Sequence, residues 1–147
     1  MVCPFCKLIP DSHPHLFFEC DFPKEIWSRM KCLVGLDFAP NNLQALIQFM
    51  VNRPVNKTIW SILQRLLIGA CVYYLWQERN LRIFQGKSSS VDDLCSLIRD
   101  VMRLRIMGLT LKASTHVFDA AKLWEFHVKQ VNGKGRVKFV PWKNTVG

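Results

Sequence analysis

The sequence predicts a mainly α-helical protein, in which a small N-terminal module precedes four to five helices and a tail that is irregular or a β-ribbon. Three observations support this fold class. Cysteines and histidines gather near the start of the chain, apolar residues then recur at helical spacing, and a turn signal with an alternating run comes near the end. With 50% hydrophobic and 21% charged residues among 147, the composition excludes disorder over the whole length.

The predicted helices follow one another from residue 22 to residue 130. Pro23 and Glu25 suit the first turn of the first helix, and Gly35 suits its end. Ser90 and Asp93 match a capping box at the start of the fourth helix. The expected helices are 22–35, 43–50 (ended by Pro54), 56 or 58 to 84 (capped by Asn56 or Thr58), 90–108 and 115–130.

The most apolar stretch, residues 66–76, lies in the third predicted helix. It has 11 residues, whereas a membrane span needs about 20. We therefore expect a core helix and no membrane partner. Near the end of the chain, Asn132 and Gly133 form a hairpin signal, and residues 136–140 alternate as a strand would. The predicted organisation is a module with its packing helix (1–36), a helical region (37–130) and a basic tail (131–147).

Four residues near the start of the chain have the spacing C-x2-C-x8-H-x4-C, and they are Cys3, Cys6, His15 and Cys20. Two cysteines two residues apart can hold one metal ion from a tight turn, and a second pair completes a tetrahedron. Three thiolates and an imidazole are typical of one structural zinc ion. The H-x4-C half has the spacing of a zinc knuckle, although the loop between the two pairs is longer, so the module is predicted to be zinc knuckle-like. His13 is a competing ligand. We favour His15, because residues 16–18 can pack the metal turn onto Trp27.

Two alternatives to zinc are unliganded thiols and redox chemistry. Cys3-Pro4-Phe5-Cys6 resembles the Cys-Pro-aromatic-Cys of glutaredoxins, but in that fold the motif follows a strand, and only two residues precede it here. The prolines at 10 and 14 would also break any helix after it. The remaining cysteines lie on apolar helical stripes and are interpreted as small buried side chains: Cys32, Cys71 and Cys95.

The charge of the chain points to an anionic partner. Lys and Arg number 20 against 11 Asp and Glu, a formal net charge of +9. Such a surplus favours nucleic acid or an acidic membrane surface. The basic side chains closest in sequence to the cysteine cluster are the predicted phosphate contacts to RNA or DNA: Lys7, Lys24, Arg29 and Lys31.

The segments Cys3-Pro4-Phe5-Cys6, His15-Leu16-Phe17-Phe18-Glu19-Cys20 and Ile26-Trp27 resemble a known family. It is the reverse-transcriptase zinc-binding domain at the C-terminal end of plant non-LTR (LINE-type) retrotransposon polyproteins. Residues 73–80 and 83–84 resemble the helix that follows there, and residues 117–124 are similar to the tails of these polyproteins, so the resemblance spans roughly 3–125. It implies that Cys3, Cys6, His15 and Cys20 bind zinc. It also implies a module that helps the parent RNA-directed DNA polymerase to hold template RNA or target DNA.

We expect no catalysis by this chain. Reverse transcription needs metal-binding Asp residues on a palm sheet, and the nearest string, Ser90-Val91-Asp92-Asp93, is better explained as a helix start. The few acidic residues are scattered, which does not suggest an RNase H site, and no small-molecule substrate is expected. The family's upstream reverse transcriptase domain is absent here, so the chain is expected to be a fragment or a remnant, with that domain as its missing partner.

The alternative function is a structural or protein-interaction module, or a decayed remnant, without nucleic-acid binding of its own. Five Trp and ten Phe supply more aromatic surface than a small helical body easily buries. The first residues show no basic region followed by an apolar stretch. We therefore expect a protein of the nucleus or cytoplasm that is not secreted.

Overall fold

The computed structural model describes residues 1–41, 43–52, 58–131, 133 and 135–142. Within these residues the chain is mostly helical, and a small antiparallel sheet follows near its C-terminal end. The predicted fold class is therefore confirmed. The elements are α1 (Asp21–Met30), α2 (Leu43–Val51), α3 (Ile59–Phe84), α4 (Val91–Met107), β1 (Thr110–Lys112), α5 (Thr115–Leu123), β2 (Phe126–Val131) and β3 (Arg136–Pro141).

The helix ends follow local capping chemistry. The side chains of Thr58, Ser90 and Ser114 each accept a hydrogen bond from the backbone N–H three residues later, which starts α3, α4 and α5. After α1, a 3-10 turn (Lys31–Val34) ends at Gly35, whose φ of 74° suits glycine. The predicted boundaries at these positions are confirmed, whereas the predicted roles of Pro54 and Asn56 lie outside the described residues.

One side of α3 lies in the core, and the other is open. Its buried apolar face consists of Ile59, Leu63, Leu67, Cys71 and Leu75. By length and composition α3 is long and apolar enough to cross a membrane, and 33% of its most apolar 18-residue stretch is buried inside the fold. The predicted core helix is thus present, although it is not buried all round.

The fifth predicted helix is wrong in its second half. Helix α5 ends at Leu123, and Glu125 has a φ of 62°, which a continuing helix does not allow. Residues from Phe126 onward form β2, which pairs antiparallel with β3, and β3 also pairs with the short strand β1. The predicted tail therefore contributes the central strand of the sheet, and Asn132 of the predicted hairpin turn lies outside the described residues.

The apolar side chains form two buried clusters. The larger one joins α1, α3, α4, α5 and the sheet, and it includes Trp124, whose indole N–H donates to the carbonyl of Leu33 over 2.7 Å. The smaller cluster consists of Cys3, Leu16 and Cys20 with aromatic neighbours. Within the described chain, residues 1–20 (the N-terminal segment) thus have a small core of their own beside the main one.

Two arginines of α3 join the N-terminal segment to the helical body. Arg79 forms an ion pair with Asp11, and both side chains are largely buried. Arg82 donates to the carbonyl of Pro4 over 3.2 Å and to that of Ser89 over 3.0 Å. These contacts fix the N-terminal segment against the C-terminal half of α3 and the loop that leads to α4.

Candidate metal centre

The first two cysteines lie on a tight turn closed by backbone hydrogen bonds. The N–H of Cys3 donates to the carbonyl of Ile9 over 2.7 Å, and the N–H of Lys7 donates to the carbonyl of Cys3 over 2.8 Å. Lys7 adopts a positive φ of 59°, which turns the chain back after Cys6. The turn therefore holds both thiols on one side.

The second pair comes from a single π-helical turn, His15–Glu19. The N–H of His15 donates to the hydroxyl of Ser12 over 3.2 Å at the start of this turn. At its end, the N–H of Cys20 donates to the carbonyl of His15 over 2.8 Å. Cys20 also precedes the first residue of α1, so the same residue ends the turn and begins the helix.

The four side chains converge on one point. One ligand atom from each of Cys3, Cys6, His15 and Cys20 lies within 4.8 Å of all the others. The two buried thiols are 4.0 Å apart, and the Cys6 Sγ is 3.3 Å from the His15 Nε2. With Zn–S bonds of about 2.3 Å, two thiolates at the corners of a tetrahedron lie about 3.8 Å apart. The cluster could therefore hold one metal ion with little rearrangement.

The cluster is sheltered from solvent on most sides. Cys3, His15 and Cys20 are buried, and Cys6 is half-buried. All six cysteines of the chain are free thiols, including the pair Cys3 and Cys20. Among the described residues this set meets the chemical requirements of a closed four-ligand site, which is typical of a structural metal ion.

Two thiols of the cluster, those of Cys6 and Cys20, have opposite pKa shifts. Hydrogen bonds, the strongest from the backbone N–H of Leu8, lower the pKa of Cys6 to about 6 against its burial. Burial raises the pKa of Cys20 to about 12, against a hydrogen bond from the backbone N–H of Phe22 and with a smaller contribution from repulsion by the neighbouring Cys3. Burial of several thiolates together is unfavourable without a cation, and a divalent metal ion supplies the missing positive charge.

The imidazole of His15 is oriented for metal binding. Its Nε2 faces Cys6, while its Nδ1 is buried and makes no hydrogen bond within the described part of the chain. The nearest carboxylate oxygen is on Glu19, 3.9 Å from the Nδ1. Metal-bound histidines usually donate their other ring N–H to a carboxylate, carbonyl or water, so Glu19 is placed to orient this ring.

The competing histidine lies elsewhere. The ring of His13 stacks on Trp76 of α3 with the two ring centres 5.5 Å apart, and Phe17 lies 6.3 Å from the same indole. The structure therefore brings His15 to the three cysteines and uses His13 in the contact with α3. Phe17, expected to pack the metal turn onto Trp27, faces Trp76.

The predicted phosphate contacts have different surroundings. Lys7 is exposed and Lys24 is half-buried. Arg29 forms ion pairs with Glu25 and with Asp92 of α4. The ammonium group of Lys31 donates to a backbone carbonyl, that of Ala39, over 2.7 Å. Two of these four cations thus have partners inside the protein.

The three remaining cysteines differ in how far their side chains are buried. Cys71 is buried, and burial raises its pKa. Cys95 is half-buried, and burial likewise raises its pKa. Cys32 is exposed, so its predicted burial is wrong. It lies in the 3-10 turn after α1, where the repeat tightens from 3.6 to about 3.0 residues per turn and leaves the helical stripe.

Sequence reasoning missed the residues that anchor the site to α3. The guanidinium of Arg82 lies over the ring of Phe5, 5.0 Å from its centre. Arg82 also forms an ion pair with Glu78, whose side chain is almost fully buried. Their sequence signal is a run of charged residues at the end of an apolar helix. Only the fold shows that this run faces the N-terminal segment.

Comparison with known proteins adds no assignment. No model of a known protein family matches the chain, and neither a curated protein nor a solved structure matches it.

Proposed function

We propose that this chain is a zinc-binding, non-catalytic module that supports RNA or DNA binding by a retrotransposon reverse transcriptase. The observation that carries the proposal is the convergence of four ligand atoms within 4.8 Å of one another. Three thiolates and an imidazole in a mostly buried shell favour zinc over the hard cations, which prefer oxygen. The resemblance of the same residues to the reverse-transcriptase zinc-binding domain supports the wider assignment.

The four ligands favour a structural role for the ion. A catalytic zinc site keeps one position open for water or substrate, whereas four protein ligands fill a tetrahedron. Zinc here would hold the turn at Cys3 and Cys6 against the turn that ends at Cys20, and Glu19 would orient His15. Free thiols on the rest of the chain fit a reducing location in the nucleus or cytoplasm.

The experiment for zinc is native mass spectrometry of the purified chain with and without a chelator. We expect one zinc ion per chain in the wild type and none in Cys6→Ser or His15→Ala. Cys32→Ser and His13→Ala are the matched controls, because they remove the same residue types outside the cluster and should keep the ion. Zinc that survives in Cys6→Ser and His15→Ala, or no zinc in the wild type, would overturn the site.

Electrostatic contact with phosphates is the proposed mode of nucleic-acid binding. With three thiolates and one Zn²⁺, the formal charge falls only from +9 to about +8. Lys7 and Lys24 are the strongest candidates, because Arg29 and Lys31 already have partners in the protein. In this proposal the closed zinc site makes no phosphate contact itself, and its role is to hold the turns of the N-terminal segment in place.

The experiment for nucleic acid is titration of a labelled 20-nucleotide single-stranded RNA at several salt concentrations. In Lys7→Gln/Lys24→Gln, we expect weaker binding and a salt slope smaller by about 0.7 for each lost phosphate contact. Lys112→Gln/Lys129→Gln is the control, since it removes the same charge from the sheet. Equal effects of both double variants, or binding that does not depend on salt, would contradict the assignment and favour the structural alternative.

A further inference from the structure

A groove of about 520 Å³ runs between α3 and α4. This volume lies within the range of about 300–1,000 Å³ that is usual for binding sites. Its lining combines small and apolar side chains with two cations and two phenols, and no acidic residue is among them. The lining residues are Arg65, Leu66, Gly69, Ala70, Tyr73, Tyr74, Val101 and Arg105.

A second hollow of about 340 Å³ shares Tyr73 with the groove and continues along α3 to Gln85. Its lining is aromatic, aliphatic or amide, without a charged residue. From Arg65 to Gln85 the two hollows follow about 30 Å of helix. Tyr73 is 61% exposed and Phe84 is 78% exposed along this path. Together the two hollows, called the α3 groove below, form an extended face on which exposed aromatic side chains lie among polar ones, and exposed apolar surface of this kind marks interaction sites.

Gly69 lies in the middle of α3 and lines the groove. A Cβ atom built on it would meet nothing within 4 Å, so the described fold does not require glycine there. Glycine inside a helix is less favourable than alanine. Its absence of a side chain keeps the groove open for the close approach of another backbone.

The charges of the α3 groove distinguish between two kinds of partner. A nucleic-acid strand carries a phosphate at every nucleotide and needs cations along its path. The α3 groove has both of its cations, Arg65 and Arg105, in the first hollow, and its remaining length is uncharged. An amphipathic helix with an apolar stripe and acidic residues near one end complements this pattern.

We propose that the α3 groove binds an amphipathic α-helix of a partner protein, with the acidic end of that helix at Arg65 and Arg105 and its apolar stripe along Tyr73 and Phe84. A helix of about 20 residues matches the length of the groove. The site contains none of the four cluster residues, although Trp76 at its edge contacts His13 of the N-terminal segment, and it goes beyond the proposed zinc-dependent function.

The experiment is selection of a displayed library of helix-favouring 20-residue peptides against the zinc-loaded full chain. We expect enriched sequences with apolar residues at i, i+3, i+4 and i+7 and with Asp or Glu grouped at one end. No enrichment, or enrichment of sequences without this pattern, would overturn the proposal.

Variants of the chain then test where the best peptide binds. We expect at least a tenfold loss of affinity in Gly69→Leu, which fills the groove with a good helix former, and in Arg65→Glu/Arg105→Glu. The control Lys112→Glu/Lys129→Glu makes the same charge change on the sheet and should retain binding. A peptide in which Lys replaces the acidic residues should bind the variant Arg65→Glu/Arg105→Glu more tightly than it binds the wild-type chain.

Two readouts keep the result independent of folding and of the zinc proposal. Circular dichroism and zinc content of Gly69→Leu should equal those of the wild type, and a binding loss with unchanged values places the peptide in the groove. Peptide binding that Gly69→Leu leaves intact would overturn the proposal. If the single-stranded RNA, rather than the peptide, loses affinity in Gly69→Leu, the groove belongs to nucleic acid, and the helix proposal is wrong.

Discussion

The cysteines of this chain occupy three kinds of environment, and these determine how each thiol reacts. Three of them converge with His15 in the candidate metal centre. Cys32 is exposed after α1, and its thiol donates weakly to the carbonyl of Arg29 over 3.4 Å. Cys71 is buried in α3, and burial raises its pKa. A thiol must be both accessible and deprotonated to react, so these environments are separable in solution.

We predict that a thiol-modifying reagent labels Cys32 first in the zinc-loaded chain at pH 7. Chelation should add Cys6 first, because its pKa is about 6, whereas Cys20 should react slowly, because burial raises its pKa to about 12. Cys71 should stay unmodified under these conditions, because its thiol is buried and burial raises its pKa. Mass spectrometry of peptides after timed labelling measures the rates. Labelling of Cys71 as fast as Cys32 would contradict the buried position of the Cys71 side chain.

Among the elements, the helix starts owe most to local sequence. The Ser90 hydroxyl accepts from the N–H of Asp93 over 3.1 Å, and Asp92 and Asp93 lie in the first turn, near the positive end of the helix dipole. Such signals depend on neighbouring residues alone. This is why the starts of α3 and α4, and the end of the first helical segment at Gly35, could be predicted from the sequence.

We predict that Ser90→Ala lowers the free energy of unfolding by about 1 kcal/mol, through loss of the cap of α4. Ser88→Ala, in the exposed part of the same loop, is the matched control and should change it by less than about 0.5 kcal/mol. Chemical denaturation followed by circular dichroism measures both. Equal effects of the two substitutions would show that the cap does not stabilise α4.

The second half of the fifth predicted helix shows what local sequence could not decide. Val117, Ala121, Trp124 and Val128 continue a helical spacing, while Phe126 and Val128 alternate with polar residues as in a strand. The choice depends on β3, which pairs with residues 126–131 across the turn. The alternation and the following Asn-Gly signal together pointed to β2, but the competing helical period concealed it.

The candidate site was more predictable than its surroundings. The spacing of Cys3, Cys6, His15 and Cys20 is a local pattern, and the structure brings all four together. The position of His13 on Trp76, and the pairing of Asp11 with Arg79, join residues more than 60 positions apart. Spacing rules describe residues close together in the sequence, so these contacts could be identified only from the three-dimensional structure.

At the scale of the whole molecule, the N-terminal segment and the helical body have two buried apolar clusters, and the half-buried Phe5, Phe17 and Phe22 pack against both. The small cluster around Cys3, Leu16 and Cys20 contributes no residue to the buried set of the main core. The contacts of Arg79 and Arg82 add polar links between the two. A metal ion that holds the N-terminal segment together should therefore stabilise this segment more than the sheet.

We predict that chelation increases hydrogen exchange in residues 1–20 and in the first turn of α1, and leaves β2 and β3 unchanged. Hydrogen exchange with mass spectrometry of the wild type, before and after chelation, tests this difference. Cys32→Ser is the control, because it keeps the cluster and should respond as the wild type does. A uniform increase over the whole chain would show that the metal supports the main core as well, and no increase would contradict its structural role.

Cys20 ends the second turn of the candidate metal centre and also precedes the first residue of α1. All four candidate ligands lie within residues 3–20. The helix that this N-terminal segment packs against is α3, which ends at Phe84. A ribosome adds roughly 5–20 residues per second, so the ligand set is complete several seconds before its docking helix. During synthesis, a metal ion can therefore bind the N-terminal segment and set the direction of α1 before α3, against which this segment packs, has been synthesised.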